Sequence, residues 1–392
     1  MPHSSLLTES LCLDFPPEEF QRRVAKAQGL MREHDMAALF VSHLHNIFYF
    51  TGYRSWLRDS QHRPFAAVLP AQGDPILILP SLEIGNANLK SWVKDVRLWQ
   101  ATDDYVALYC DALRGVGASE ATVGIEMGDD LWLGMPIYQW TRFQQRLPKC
   151  RFVSSTDVMW QLRSVKSPAE VEHIRSAARI ASHSVSAAWD ALRPGVTELQ
   201  ISAAIGQSML EQGAEVPAFL IVKSGWGAYN AGNKFATPRV IQAGDIVTLD
   251  IGCQYRGYAS DMIRSACLGQ PDPEHRRLQE VALALNRTCL AEVRAGAPIK
   301  AIDQARQRFL QEHGFPVPPY AGVGHNLGIS VHEMPRIGPE GEGALQTGNV
   351  ITVEPSIKAG PWGGISVEDI VLVTDTGYEL LTTAPRELYV KE

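Results

Sequence analysis

AGDIVTLDIG (residues 243–252) and TGNVITVEPS (residues 347–356) read as one phrase written twice, 104 positions apart. Each opens on a glycine turn and runs into an alternating, strand-like series, and the two align Asp250 with Glu354. The echo continues upstream at an offset of 101 residues, where Arg193-Pro194-Gly195 returns as Arg294-Ala295-Gly296. Gly213, Val216, Pro217 and Phe219 return as Gly314, Val317, Pro318 and Tyr320 at that same offset. One echo could be chance, but several in one register indicate duplication. The predicted unit is helix–helix–strand, present twice about a pseudo-two-fold axis, each copy donating a carboxylate from an equivalent strand.

The helices that frame the first copy are marked by their caps. Ser167, Pro168 and Glu170 form a capping box ahead of Val171, Ile174, Ala178, Ala181, Val185, Ala188 and Leu192, which keep helical spacing. Arg193-Pro194-Gly195 stops that helix, and Thr197 to Gln200 opens the next with a second box. The preceding half is different in character. Pro17 to Met36 reads as an amphipathic helix, and 37–42, 65–70, 75–80 and 121–126 read as short strands bounded by Pro, Gly or Asp. A further helix is expected near 104–114. A chain of 392 residues exceeds one ordinary core, so two domains are expected, 1–160 and 161–392, of overall α/β (α+β) class.

Composition narrows the function. With 45% apolar and 20% charged residues the chain has the make-up of a globular enzyme. A net charge of -7 argues against nucleic acid or an anionic membrane as partner and in favour of small solutes. The six cysteines are scattered without short paired spacing, as in a reducing compartment. The opening MPHSSLLTESLCLDFPPEEF lacks a basic start followed by an apolar core, and no apolar run reaches membrane length, so a cytoplasmic location is the expectation.

Five side chains in the second half carry the chemistry: Asp250, Asp261, His325, Glu354 and Glu368. Four carboxylates and one imidazole suit two divalent cations held side by side, Mn, Fe, Co or Zn, with carboxylates able to bridge. Such a pair activates water and polarises a carbonyl, which points to hydrolysis. Asp250 and Asp261 flank a predicted hairpin in which 246–251 alternates, 252–257 turns and 258–266 returns. An aspartate within an apolar strand is costly to bury unless paired or ligating; the plainer alternative is a capping residue near a turn. GHNLGISVHEMP (324–335) sets His325 and His332 seven residues apart among glycines. One could bind metal while the other donates a hydrogen bond to the oxyanion of a tetrahedral intermediate. Glu354 in VITVEP and Glu368 in GGISVEDIVLV lie in buried-strand patterns, and either could relay the proton of an attacking water. Asp369 beside Glu368 is expected to face solvent. Trp226, Tyr229, Tyr258 and Trp362 are candidate pocket aromatics. The loop-like 53–59 segment, with Trp56 and Arg58, could recognise a carboxylate or amine-rich ligand, or equally be a solvated loop or an inter-subunit contact.

On these residues the region from about 160 to 385 resembles the pita-bread metallopeptidase family. The Asn46–Tyr53 segment NIFYFTGY and the two-domain length are similar to its Xaa-Pro dipeptidase, Xaa-Pro aminopeptidase and creatinase branch. The resemblance implies a small creatinase-like N-terminal α/β domain, a pita-bread catalytic domain, and a homodimer in which one subunit's N-terminal domain can complete its neighbour's site. It implies Asp250 as a terminal metal ligand, Asp261 and Glu368 as bridging ligands, and His325 and Glu354 completing the set. Glu354 would also be the base and His332 the imidazole that stabilises the intermediate. Two positions depart from the pattern. The family's peptidases carry a histidine 17 places before the first ligand Asp, where this chain has Asn233, and an arginine two places before the last Glu, where it has Ser366. Arg336 is the candidate replacement cation. The implied reaction is hydrolysis of an amide or peptide C–N bond in a small Xaa-Pro-type substrate. A non-peptide C–N hydrolase of creatinase or ectoine hydrolase type, or a dimethylsulfoniopropionate lyase-like enzyme, are the alternatives on this fold.

Overall fold

The computed structural model describes residues 12–59, 63–101, 103–128, 131–225, 234–317, 322–359 and 363–392. The chain divides into two units, Met1–Leu162 and Arg163–Glu392.

The first unit is built on a six-stranded mixed sheet. Its spatial order is Asp95–Trp99, Ile76–Pro80, Ala66–Pro70, Ala38–Val41, Thr122–Ile125 and Arg151–Ser154. Ala66–Pro70 runs antiparallel to both neighbours, and the other pairs are parallel. Ala38–Val41 and Ala66–Pro70 are buried along their whole length, as strands covered on both faces must be. The helix Pro17–Glu33 buries Phe20, Val24, Ala27 and Met31, the face its spacing predicted. NIFYFTGY folds chiefly as the helix Leu44–Thr51, closed by Gly52 in the left-handed region at φ 75°.

In the second unit the duplication is visible in the backbone. Helices Glu198–Glu211 and Ile299–Glu312 coincide at both ends under the 101-residue offset. The turns that follow the 104-residue offset are also shared: Gly244 and Gly348 both take left-handed φ values, 87° and 91°. Ile241 N–H donates to Val196 O at 2.8 Å, and Leu345 N–H donates to Ala297 O at 2.9 Å. Gln242 N–H is capped by the Asp245 carboxylate at 2.8 Å, and Gln346 N–H by Asn349 Oδ1 at 2.7 Å. The two copies thus keep the same turn chemistry where their sequences no longer agree.

Each copy contributes a sheet. One is ordered Tyr389–Lys391, Met262–Leu268, Ile246–Tyr255, Val216–Ser224, with Tyr258–Ala259 paired to the third. The other is ordered Glu333–Ile337, Gly324–Asn326, Val350–Val353, Asp369–Val373, Tyr378–Leu380. Alternation sorts their residues. Val247, Leu249 and Ile251 pack with Ile180, Val185, Ile201 and Ile205 in one core, and Ile351, Val353, Val371 and Val373 pack with Leu278, Leu285, Ile302 and Leu310 in the other. Residues of the opposite parity, including Thr248, Asp250, Thr352, Glu354 and Glu368, are therefore turned away from the helices.

Two expectations are corrected here. The strand from Ile246 does not turn at 252 but continues to Tyr255, and the turn falls at Arg256-Gly257. Gly252 serves close packing instead, because a Cβ there would lie 2.0 Å from Ser260 O. Asp369 does not face solvent. Its parity is that of Val371 and Val373, and it is fully buried against Arg264 at 2.7 Å and Arg386 at 2.9 Å. A carboxylate on the covered face is tolerable only when paired in this way.

Candidate metal centre

Strand register brings the candidate ligands to one place. Asp250 lies mid-strand between Ile221 and Ile263 on the flanking strands. Asp261 precedes Met262–Leu268 and shares the parity of Ile263, hence the face of Asp250. In the other sheet Val353 pairs with Asp369, so one further step of the register sets Glu354 opposite Glu368. Glu368 N–H approaches Ile263 O at 3.5 Å and Arg264 donates to Glu368 O at 2.6 Å, which stitches the two sheets together at the site. His325 comes from the short strand Gly324–Asn326. Only glycine fits before it, since a Cβ at Gly324 would stand 2.0 Å from Thr352 O.

Donor atoms of Asp261, His325 and Glu368 all lie within 4.8 Å of one another. His325 Nε2 is 3.6 Å from Asp261 Oδ2 and 3.3 Å from Glu354 Oε1. Asp261, His325 and Glu368 are buried, while Glu354 keeps 30% of its side chain exposed. Asp250 is partly buried and outside the tightest group, but its charge is felt by both Asp261 and Glu368.

The donor set fits divalent cations on three grounds. Asp261 Oδ1 and Glu368 Oε1 are buried without a hydrogen-bond partner among the described residues, an expense a protein seldom tolerates. His325 Nδ1 lies 3.1 Å from the Asn326 carbonyl, which requires Nδ1 to donate and leaves the Nε2 lone pair turned to the carboxylates. Electrostatics agree. Burial, with Glu354's charge adding, pushes Asp250 up to about 6 against the pull of Lys223 and His325. Burial first, then the neighbouring carboxylates, holds Asp261 and Glu368 well above the ordinary carboxylate range. Crowded acids of this kind either take up protons or share a cation.

The remaining candidates are placed less uniformly. The His332 ring centroid is 4.3 Å from that of His325, and its side chain is exposed. Arg336 pairs with His325 in the strand register and is also exposed. Ser366 Oγ is turned onto the backbone, donating to Glu354 O at 3.1 Å and Pro355 O at 2.9 Å. Tyr258 is not a pocket residue. It is fully buried and its hydroxyl donates to Glu170 Oε1 at 2.8 Å, reinforcing the start of a helix. Trp56 stands 83% exposed on the short helix Trp56–Asp59 of the first unit, while the nearby Arg54 is engaged by Asp14 at 2.7 Å. Asn233, Trp226, Tyr229, Trp362 and the Arg58 side chain lie outside the described residues.

Sequence reasoning missed two features. Glu333, next to His332, is buried and bound by both Arg163 and Lys166, the latter at 3.2 Å. Gly328 makes room for it, a Cβ there falling 2.8 Å from Glu333 Oε2. Lys223 sits on the Asp250 face of its strand, and the alternation of FLIVKS could have shown that a cation points away from the apolar side.

Residues 172–375 match the sequence profile of metallopeptidase family M24. The chain belongs to this family. Residues 23–165 match the creatinase/prolidase N-terminal domain. Among similar proteins is the Xaa-Pro dipeptidase of Pyrococcus furiosus, 27% identical over 368 residues that span 94% of this chain and 99% of the relative. Among solved structures, dipeptidase PepE from Mycobacterium ulcerans superposes with a TM-score of 0.84 at 31% identity, covering 96% of this chain and 99% of that one. The prolidase from Pyrococcus horikoshii gives 0.82 at 27% identity, covering 94% and 99%. As a family M24 member the chain is a metal-dependent hydrolase with divalent cations as cofactors, on the two-part fold the sequence predicted. Among the described residues no helix is long and apolar enough to cross a membrane.

Proposed function

We propose that this protein is a dinuclear metallopeptidase of Xaa-Pro dipeptidase type, cleaving the C–N bond of a small dipeptide, with its catalytic domain running from residue 161. The observation that carries the reading is the convergence of Asp261, His325 and Glu368 with two unsatisfied buried oxygens, and of Glu354 at the same imidazole nitrogen. Asp250 would complete the donor set with Asp261, His325, Glu354 and Glu368, which together would hold two cations drawn from Mn, Fe, Co or Zn. Bound there, the cations supply Lewis acidity and lower the pKa of water.

The chain's own residues supply the rest. Glu354, the least buried of the site carboxylates that lie against His325, accepts the proton of the attacking water at a carboxylate oxygen and passes it to the leaving nitrogen. His332, exposed beside His325, donates a hydrogen bond to the oxyanion as the carbonyl becomes tetrahedral. Thr352 Oγ1 donates to Glu354 Oε1 at 3.3 Å and accepts from His325 N–H at 3.1 Å, holding base and ligand in one frame. Asn233, Arg336, Trp56 and Arg58 are the proposed substrate contacts, and a cytoplasmic homodimer is the proposed working form.

Purified protein should contain about two metal equivalents per chain and release proline from Gly-Pro, with both lost on chelation and restored by added Mn, Co or Zn. Full activity after complete removal of metal would defeat this reading. The Ser366 geometry favours a second reading: no cation reaches the site from that position, so a non-peptide C–N bond of creatinase or ectoine hydrolase type is the next substrate to assay.

A further inference from the structure

We propose that Lys223 is the cation that selects a carboxylate on the substrate: its ammonium, on the sheet face it shares with Asp250, receives the carboxylate of a small amide-bearing acid. The inference rests on the hydrolase reading above and adds to it what the substrate must carry.

Register fixes the side on which Lys223 acts. Lys223 pairs with Thr248, and two residues along the same strands Ile221 pairs with Asp250. Residues two apart share a face, so Lys223, Thr248 and Asp250 line one side of the sheet while Val222 and Leu249 enter the core on the other. Lys223 and Asp250 are thus diagonal cross-strand neighbours, a spacing that a long side chain spans. The lysine is partly buried, yet among the described residues its ammonium forms no hydrogen bond and no ion pair.

Among the described residues, the other polar groups near the ammonium are engaged elsewhere. Thr248 Oγ1 and Ser265 Oγ, on the same face, are 3.2 Å apart and satisfy each other. Lys234 is the neighbouring cation and is already held by Glu198 at 2.6 Å. Asp250 is the nearby acid, but in the loaded enzyme its charge is committed. Four carboxylates neutralise two divalent cations, so Lys223 is left as net positive charge on the wall beside them. An incoming carboxylate can pair with that charge, and an incoming ammonium group is repelled by it. A charge-assisted hydrogen bond in such a place contributes about a 10- to 100-fold preference for the anionic ligand.

The test uses metal-loaded protein and its Lys223→Met and Lys223→Arg variants, assayed on Ala-Pro and on Ala-Pro amide, which differ only at the terminal carboxylate. Lys223→Met should lower kcat/KM for Ala-Pro about 10- to 100-fold, through KM, and leave the amide within about 3-fold; Lys223→Arg should retain most of the preference. Equal loss on both substrates, no loss on either, or loss of bound metal in Lys223→Met overturns the proposal. Calorimetric binding of N-acetylproline and N-acetylprolinamide to the same three proteins separates this idea from the one beneath it. Wild type should prefer the acid by at least about 10-fold, and Lys223→Met should not. If no dipeptide is cleaved but this preference is present and depends on the lysine, the dipeptidase reading falls and the assignment of Lys223 stands. If wild type shows no preference for the acid, the assignment of Lys223 falls.

Discussion

Stripping the metal should invert the pH dependence of stability that Asp250 imposes. In the metal-free protein burial and the charge of Glu354 raise this carboxyl from 3.8 to about 6. Below its unfolded value the group is protonated in both states and has no effect. As pH rises from near 4 the unfolded chain ionises it while the folded chain cannot, and stability falls until the folded group ionises near 6. The difference amounts to about 3 kcal/mol at about 1.4 kcal/mol per pKa unit. Asp261 and Glu368, also raised, act in the same direction at higher pH. Bound cations reverse the sign, because ligation needs the ionised carboxylates, and metal at about a hundred times its dissociation constant adds about 2.7 kcal/mol. The assay is urea unfolding of chelated wild type, chelated Asp250→Asn and metal-loaded wild type at intervals from pH 4 to 7. Chelated wild type should lose about 3 kcal/mol relative to chelated Asp250→Asn across this range, while the loaded protein should gain. Parallel curves for the two chelated proteins would refute the placement of Asp250 in a crowded acidic site.

Two further outcomes are expected. His325→Ala should reduce bound metal measured by elemental analysis, whereas His332→Ala should keep the metal and lose about 100- to 1,000-fold in kcat; equal loss of metal in both would remove the division of labour between them. Glu333→Gln should cost about 3 kcal/mol at neutral pH in urea unfolding, because Arg163 and Lys166 are left buried without a counter-charge. Arg163 and Lys166 hold Glu333 down at about 2 despite its burial, so its contribution is present above pH 4.5 and disappears as pH falls towards 2. A variant with the wild-type acid profile would contradict this.

Much of the site was legible because burial makes acids conspicuous. Asp250, Glu354 and Glu368 stand in strands too apolar to carry a carboxylate without a reason, and the 104-residue echo ties two of them together. The caps at Ser167 and Thr197 were equally legible, because a capping box is a local agreement between residues three apart. What escaped was non-local. Asp369 looks like Glu368's solvent-facing neighbour until Arg264, 105 residues earlier, and Arg386 are seen to meet it. Gly252 looks like a turn until Ser260 O is found pressed against it. Glu333 sits inside a recognisable motif, yet its partners Arg163 and Lys166 lie about 170 residues upstream and share no pattern with it.

Duplication also explains why the site can be acidic at all. Each copy shields its own apolar face with its own helix pair, so the opposite faces of the two sheets are free to be polar. Had a single sheet carried these acids, their mutual repulsion would have fallen on one core. Here Asp250 and Asp261 come from one sheet and Glu354, Glu368 and His325 from the other, each anchored from behind by its own apolar layer. The seam between Ile263 and Glu368 then joins the two sheets through backbone beside the site. The unpaired oxygens of Asp261 and Glu368 are thus backed by two cores instead of one. It follows that the two halves are not redundant: weakening either core, far from any ligand, should loosen metal binding before it unfolds the chain.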